Sequence, residues 1–201
     1  MPAPPPLTKI LIILNGAIYL AEMLAPETLI GLFALWPIGP GFAPWQLITY
    51  SFLHAPDNVF HLLFNMLALY MFGSDIERIF GQRRYLTYYL SCVLTAALAQ
   101  LVVSVLSGSP PYPTLGASGG VFGVLLAFAL YFPRRIIMLI FPPIPMPAWL
   151  FVIAYGLIEL YLGVTGTQAG VAHFAHLGGM LGGFLTIQYW RGRWPFSRPR
   201  W

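Results

Sequence analysis

The sequence predicts an all-α, polytopic membrane protein: six transmembrane helices with a long interfacial loop after the first. Three observations carry that expectation. Hydrophobic residues make up 58% of the 201 and charged residues only 8%, against roughly 25% charged for a soluble domain. The apolar residues fall in runs that approach the roughly 20 needed to span a bilayer at 1.5 Å per residue. The basic residues, finally, segregate to one side once six spans are drawn.

The first span is expected over Leu7–Leu24, behind the Pro-rich segment 1–6. Its apolar run leads into Glu22 and Met23 rather than a small-residue cleavage site, so it reads as a retained helix and not a signal peptide. Ala25–Asn58 follows, too broken by Pro and Gly to span, and with Trp36 and Trp45 it reads as an amphipathic insertion in the outer interface. The remaining spans are Val59–Phe80, Tyr85–Leu106, Ala117–Phe132, Met146–Val164 and Val171–Trp190. No repeat or second domain interrupts them. The chain therefore reads as one membrane domain over 1–201, ending in a basic tail over 191–201, without an appended soluble domain.

The ten basic residues are Lys9, Arg78, Arg83, Arg84, Arg134, Arg135, Arg191, Arg193, Arg198 and Arg200. With six spans all lie on the side of both termini, which the positive-inside rule places in the cytoplasm. Five or seven spans would spoil that segregation. The tail RGRWPFSRPRW fixes topology and is able to touch anionic headgroups, so the net charge of +4 suggests the lipid bilayer as partner and no nucleic acid. Cys92 is the only cysteine, which excludes an intrachain disulfide and a thiolate metal site. No cofactor or metal is expected.

Polar side chains within a span are costly and mark function. Ser118 lies 14 residues before Phe132, His176 14 before Trp190, Asn65 15 before Phe80 and His61 19 before Phe80. At 1.5 Å per residue, the first three sit roughly 21–23 Å above the inner boundary, with His61 about a turn higher. Three parallel helices thus bring polar groups to one level in the outer leaflet. The fourth span is short as well: its sixteen residues cover only about 24 Å. The preceding SGSPPYPTLG is a poor helix whose backbone must line protein or a water-filled hollow. Ser118 is expected at a helix N-terminus, on the floor of a cavity open to the outside.

Gly116-Ala117-Ser118-Gly119-Gly120 has the form G-x-S-x-G, a weak signal where no strand precedes it. Here the glycines are read as small packing faces: Gly119, Gly120 and Gly123 on the fourth span against Gly178, Gly179, Gly182 and Gly183 on the sixth. Such packing would bring Ser118 Oγ to the His176 imidazole, with His176 as general base and then acid. The Ser118 N–H at the helix start would face the oxyanion. His61 and Asn65, spaced i, i+4, share a face and offer further donors. His173, three residues before His176, is an alternative base, but the A-H-x-x-G pattern and the depth favour His176.

Together His61-Leu-Leu-Phe-Asn65, Gly116-Ala-Ser-Gly119 and Ala175-His176-Leu-Gly-Gly179-Met-Leu-Gly-Gly183 resemble the rhomboid family of intramembrane serine proteases, and the likeness covers essentially the whole chain. It implies a six-helix rhomboid-like bundle in its minimal form, with Ser118 as nucleophile, His176 as base, and His61 and Asn65 in the oxyanion site. It also implies that Phe122 packs on the catalytic histidine, at a position often Tyr. Gly73-Ser-Asp-Ile-Glu77-Arg-Ile-Phe-Gly81 matches the family's G-x-x-x-E-x-x-x-G, where the Glu is structural. One departure is Trp45-Gln46 in place of the family's Trp-Arg, which bears on first-loop rigidity more than on catalysis.

The expected substrates are transmembrane proteins, cut near the outer face where a helix is able to unwind. The fifth span, preceded by the FPPIPMP kink, is a candidate lateral gate. A bacterial cytoplasmic membrane is the default location. Glu159, on the fifth span near the depth of the dyad, is expected as a buried hydrogen-bonded Glu, since the resemblance implies a dyad without a third carboxylate. His54 is expected to hydrogen-bond locally. The alternatives are an inactive rhomboid relative that binds membrane proteins, and a small transporter. The first typically lacks the Ser or the His, and both stand here. The second is opposed by the absence of an internal repeat and by polar groups confined to one level.

Overall fold

The first helix is started by the far end of another. Pro6 opens α1 (Pro6–Leu24) at a position where its missing N–H costs nothing. The Glu77 carboxylate accepts the Leu7 N–H (2.9 Å), the Thr8 N–H (2.7 Å) and the Thr8 hydroxyl (2.7 Å), satisfying donors that a helix start leaves open. The structural role expected of Glu77 is thus to cap α1. The computed structural model describes residues 3–107, 112–138, 143–166 and 171–193.

The first loop is built from short helices. α2 (Pro26–Phe33) follows α1 directly, and α3 (Gln46–Thr49) runs into a 3₁₀ turn at Tyr50–Phe52. Gln46, far from leaving this loop slack, is buried and cross-links it. Its Oε1 accepts the Trp36 and Ala43 N–H groups (both 3.2 Å), and its Nε2 donates to the Gly41 (3.0 Å) and Leu32 (3.4 Å) carbonyls. A two-way bridge joins Leu35 to Thr114, each N–H to the other's carbonyl at 2.9 Å, so the loop is tied to the segment that leads into the serine.

The span expected over Val59–Phe80 is continuous but not uniform. It comprises α4 (Val59–Ala68), a five-residue π-helical stretch (Leu69–Gly73) and α5 (Ser74–Phe80). Then come α6 (Gln82–Ser107), α7 (Ser118–Tyr131), α8 (Ala148–Thr165) and α9 (His173–Trp190). The chain folds as an all-α membrane bundle. Among the described residues, four helical segments are long and apolar enough to cross a membrane (Pro6–Leu24, Val59–Phe80, Gln82–Ser107 and Ala148–Thr165), while α7 is a shorter apolar helix. Large apolar side chains such as Leu24, Leu106 and Val164 are exposed on the outside, as lipid-facing residues are.

Helix α7 is the hub, with ten of its 14 residues buried, as expected of a helix apolar on every side. The glycine faces do not simply meet one another as the sequence suggested. A Cβ on Gly179 would collide with the Gly119 carbonyl, so that pair does set the approach of α7 to α9. Gly178, Gly182 and Gly183, however, lie against Ala99, Thr95 and Tyr88 of α6, and Gly120 against Tyr89 of α6. α6 thus wedges between the glycine stripes of both.

The fifth span also starts later than expected. Met146 and Pro147 belong to a strand, β2 (Pro145–Pro147), paired antiparallel with β1 (Ile136–Met138). The FPPIPMP segment, whose first two residues lie outside the described ones, ends as this hairpin edge rather than as a helix kink. Pro at each end of β2 is tolerable because a two-stranded ribbon has only edges. Near this end Arg78 and Arg135 both pair with Asp75, Arg84 lies over Trp190 and Arg191 over Tyr131. Basic groups from α5, α6, the α7–β1 turn and the end of α9 thereby gather at one end of the bundle.

Candidate active site

Helix α7 begins on Ser118 itself, because Gly116 before it takes φ +129°, a conformation that side chains rarely adopt. The close approach of α9 at Gly119–Gly179 then brings the two polar groups together: His176 Nε2 lies 2.8 Å from Ser118 Oγ. Phe122, one turn along α7, stacks flat on the His176 ring, with centroids 4.3 Å apart and planes within 4°. Tyr155 of α8 stacks behind Phe122 at 5.3 Å. The imidazole is thus fixed in plane by an aromatic pair and in direction by the hydroxyl.

Above Ser118 is a cavity of about 500 Å³ whose lining includes His61, Asn65, Gly116, Ser118 and His176. His61 Nδ1 accepts the Ala55 N–H at 3.4 Å, which leaves the ring proton on Nε2. A Cβ placed on Gly116 would lie 2.8 Å from that Nε2 and 3.6 Å from Ser118 Oγ. The empty place at Gly116 is therefore the gap between a donor and a nucleophile. Asn65 donates through Nδ2 to the His61 carbonyl at 2.8 Å, which holds it on the cavity side and leaves its second amide hydrogen uncommitted.

His54, expected to hydrogen-bond locally, reaches across to α1 through its main chain. Its main-chain N–H donates to the Glu22 carboxylate at 2.9 Å, while its ring packs edge-on to His61 at 5.0 Å. Burial, with His61 alongside, pushes the His54 imidazole down to about 3; it stays neutral and serves as a wall behind the donor.

The sequence reading placed Glu159 as a buried, hydrogen-bonded carboxyl, and it is one. Its partners are two histidines, although the resemblance implies a dyad without a histidine-orienting carboxylate. Glu159 Oε2 lies 2.8 Å from His176 Nδ1 and 2.7 Å from His173 Nδ1, so one oxygen is shared by both histidines. His173 is buried in this cluster and does not reach the serine. The signal was present: an ionisable group within a span needs a partner, and the two histidines were the donors near that depth.

The Rhomboid domain family matches residues 42–193. The chain is 34% identical over 145 residues to the rhomboid protease GluP of Bacillus subtilis, covering 71% of this chain and 25% of the relative. It is 33% identical over 152 residues to Rhomboid protein 1, mitochondrial, of Saccharomyces cerevisiae (72% and 41%). With the presenilin-associated rhomboid-like protein, mitochondrial, of Homo sapiens it shares 31% over 165 residues (78% and 41%). The matched stretch spans between a quarter and about two fifths of these relatives' own lengths. A match that runs from the first loop to the end of the last helix carries one conclusion: this chain is a membrane protein of the rhomboid family.

Proposed function

We propose that the chain is an intramembrane serine endopeptidase that cuts transmembrane segments of other proteins near the outer membrane face. The observation that carries this reading is the 2.8 Å contact of His176 Nε2 with Ser118 Oγ on the floor of a cavity whose lining includes His61. A relative named as a rhomboid protease supports it.

In this reading His176 takes the Ser118 proton as Oγ attacks the scissile carbonyl carbon. The developing oxyanion enters the gap left by Gly116, facing the Ser118 N–H at the start of α7, His61 Nε2–H and the free Asn65 amide hydrogen. One such donor typically contributes about 100–1,000-fold in rate. His176 then passes its proton to the leaving amine, and the acyl-enzyme is released by water from the cavity. A substrate helix must unwind to expose its peptide bond, which favours small and helix-breaking residues at the cut.

The same reading takes the chain as one membrane domain of six crossings with both termini on the cytoplasmic side, since its basic groups gather at the end away from Ser118. A bacterial cytoplasmic membrane is the location it favours. The test is labelling by a serine-directed fluorophosphonate in mild detergent. Wild type should label, and Ser118→Ala and His176→Ala should each lose labelling while remaining folded. A folded wild type that stays unlabelled beside a reactive rhomboid control would give first place to a membrane-protein-binding role without catalysis.

A further inference from the structure

Helix α8 buries only three of its 18 residues, Ala148, Val152 and Glu159. The first two lie in its first five positions, so Glu159 is the sole buried residue in the rest of the helix. An acidic residue in that place would be expensive in hydrocarbon unless it meets donors, and it meets two: the Nδ1 atoms of His173 and His176.

We propose that Glu159 is a positioning residue, which holds His176 in the tautomer that serves as a base for Ser118. The proposal rests on the serine-peptidase reading for its consequence and on geometry for its cause. A carboxylate accepts hydrogen bonds and does not donate them, so both Nδ1 atoms facing Oε2 carry the hydrogens. His176 Nε2 is then left with a lone pair aimed at Ser118 Oγ, 2.8 Å away, able to accept the hydroxyl proton. Once His176 is protonated, the carboxylate 2.8 Å from Nδ1 also offsets the new charge. His173 is the second anchor, steering the same oxygen so that Glu159 cannot swing away from His176.

Glu159, His173 and His176 would also serve as a metal-ligand set, but their spacing argues otherwise. A tetrahedral zinc with ligands about 2.0–2.1 Å away keeps those ligands roughly 3.3 Å apart. Here oxygen and nitrogen approach to 2.7 and 2.8 Å, the distance of a charge-assisted hydrogen bond.

The experiment compares wild type with Glu159→Gln and Glu159→Asp, as full chains in proteoliposomes with a transmembrane substrate, reading kcat and KM separately. Nitrogen-15 spectra of labelled histidines are recorded on the same samples. Gln keeps the shape of Glu but replaces one acceptor oxygen by an NH2 donor, which, turned to His176 Nδ1, shifts the His176 proton onto Nε2. In a serine-protease triad the equivalent swap lowers kcat about 10⁴-fold, and here kcat should fall about 10²–10⁴-fold with KM nearly unchanged. Asp, though a methylene shorter, keeps the acceptor and should be the faster of the two variants. A packing role alone would predict the reverse order. Wild type should show His176 protonated on Nδ1, and Glu159→Gln should show it on Nε2. Retention of the Nδ1–H form and of kcat within about threefold in Glu159→Gln would overturn the proposal. Should that variant not fold, loss of the Nδ1–H form in Glu159→Asp, with the carboxylate still present, would do the same. A wild type that cleaves nothing yet shows the tautomer change would refute the peptidase reading and leave the positioning contact standing.

Discussion

Gly116 does two things that no other residue type does at once. Its φ of +129° is strained for any residue with a side chain, and its absent Cβ is the space 2.8 Å from His61 Nε2. Gly116→Ala should therefore lower kcat about 100-fold or more through the lost oxyanion site, measured on a transmembrane substrate, with a smaller fall in thermal stability. An activity within about threefold of wild type would mean that the oxyanion lies elsewhere. Most of this site was legible at the level of single residues. Ser118, His176 and Asn65 stood out by their cost in a span and their common depth, and His61, a turn higher, by its i, i+4 spacing to Asn65; all four line one cavity. The partners of Glu159 were only half legible: its depth pointed to the two histidines, but depth along a helix gives height and not azimuth, so the contact itself could not be read. How Gln46 bears on the first loop was not legible for a related reason: its hydrogen bonds reach carbonyls and N–H groups of a folded loop that has no sequence period.

At the scale of elements, helix existence followed from apolar runs, whereas what faces what did not. The glycines of α9 were matched to those of α7 by composition, yet three of the four lie against α6, since a small residue reports close approach without naming the neighbour. The hairpin β1–β2 was missed because three-residue strands carrying two prolines leave no alternation to read. Helix α8 is the loosest of the long helices, with few buried side chains, which makes it, under the proposed function, the candidate gate for a substrate arriving from the lipid. A cysteine pair joining α8 to α4 tests this, helped by the burial of the single native Cys92. The tether should abolish cleavage of a transmembrane substrate and leave fluorophosphonate labelling within about threefold. Cleavage that survives the tether would remove α8 as the gate.

Across the whole molecule, one continuous helix serves both ends. Its upper part, α4, carries His61 and Asn65 at the cavity, and its lower part, α5, carries Glu77 at the start of α1. These two duties lie on faces whose relative phase is set by the π stretch Leu69–Gly73 between them, and a π turn is in effect one residue added to an α-helix. Because that turn makes about the same revolution with one residue more, removing one residue from the stretch should let it revert to regular α-helix with both faces still in phase. The deletion should therefore leave the serine reactive to the fluorophosphonate and the N-terminus as protease-resistant as in wild type. The irregular turn is thus a phase adjuster that absorbs a surplus residue, and a deletion that unmoors the first helix or silences the serine would show that the stretch itself, not the phase it keeps, is what the two ends require.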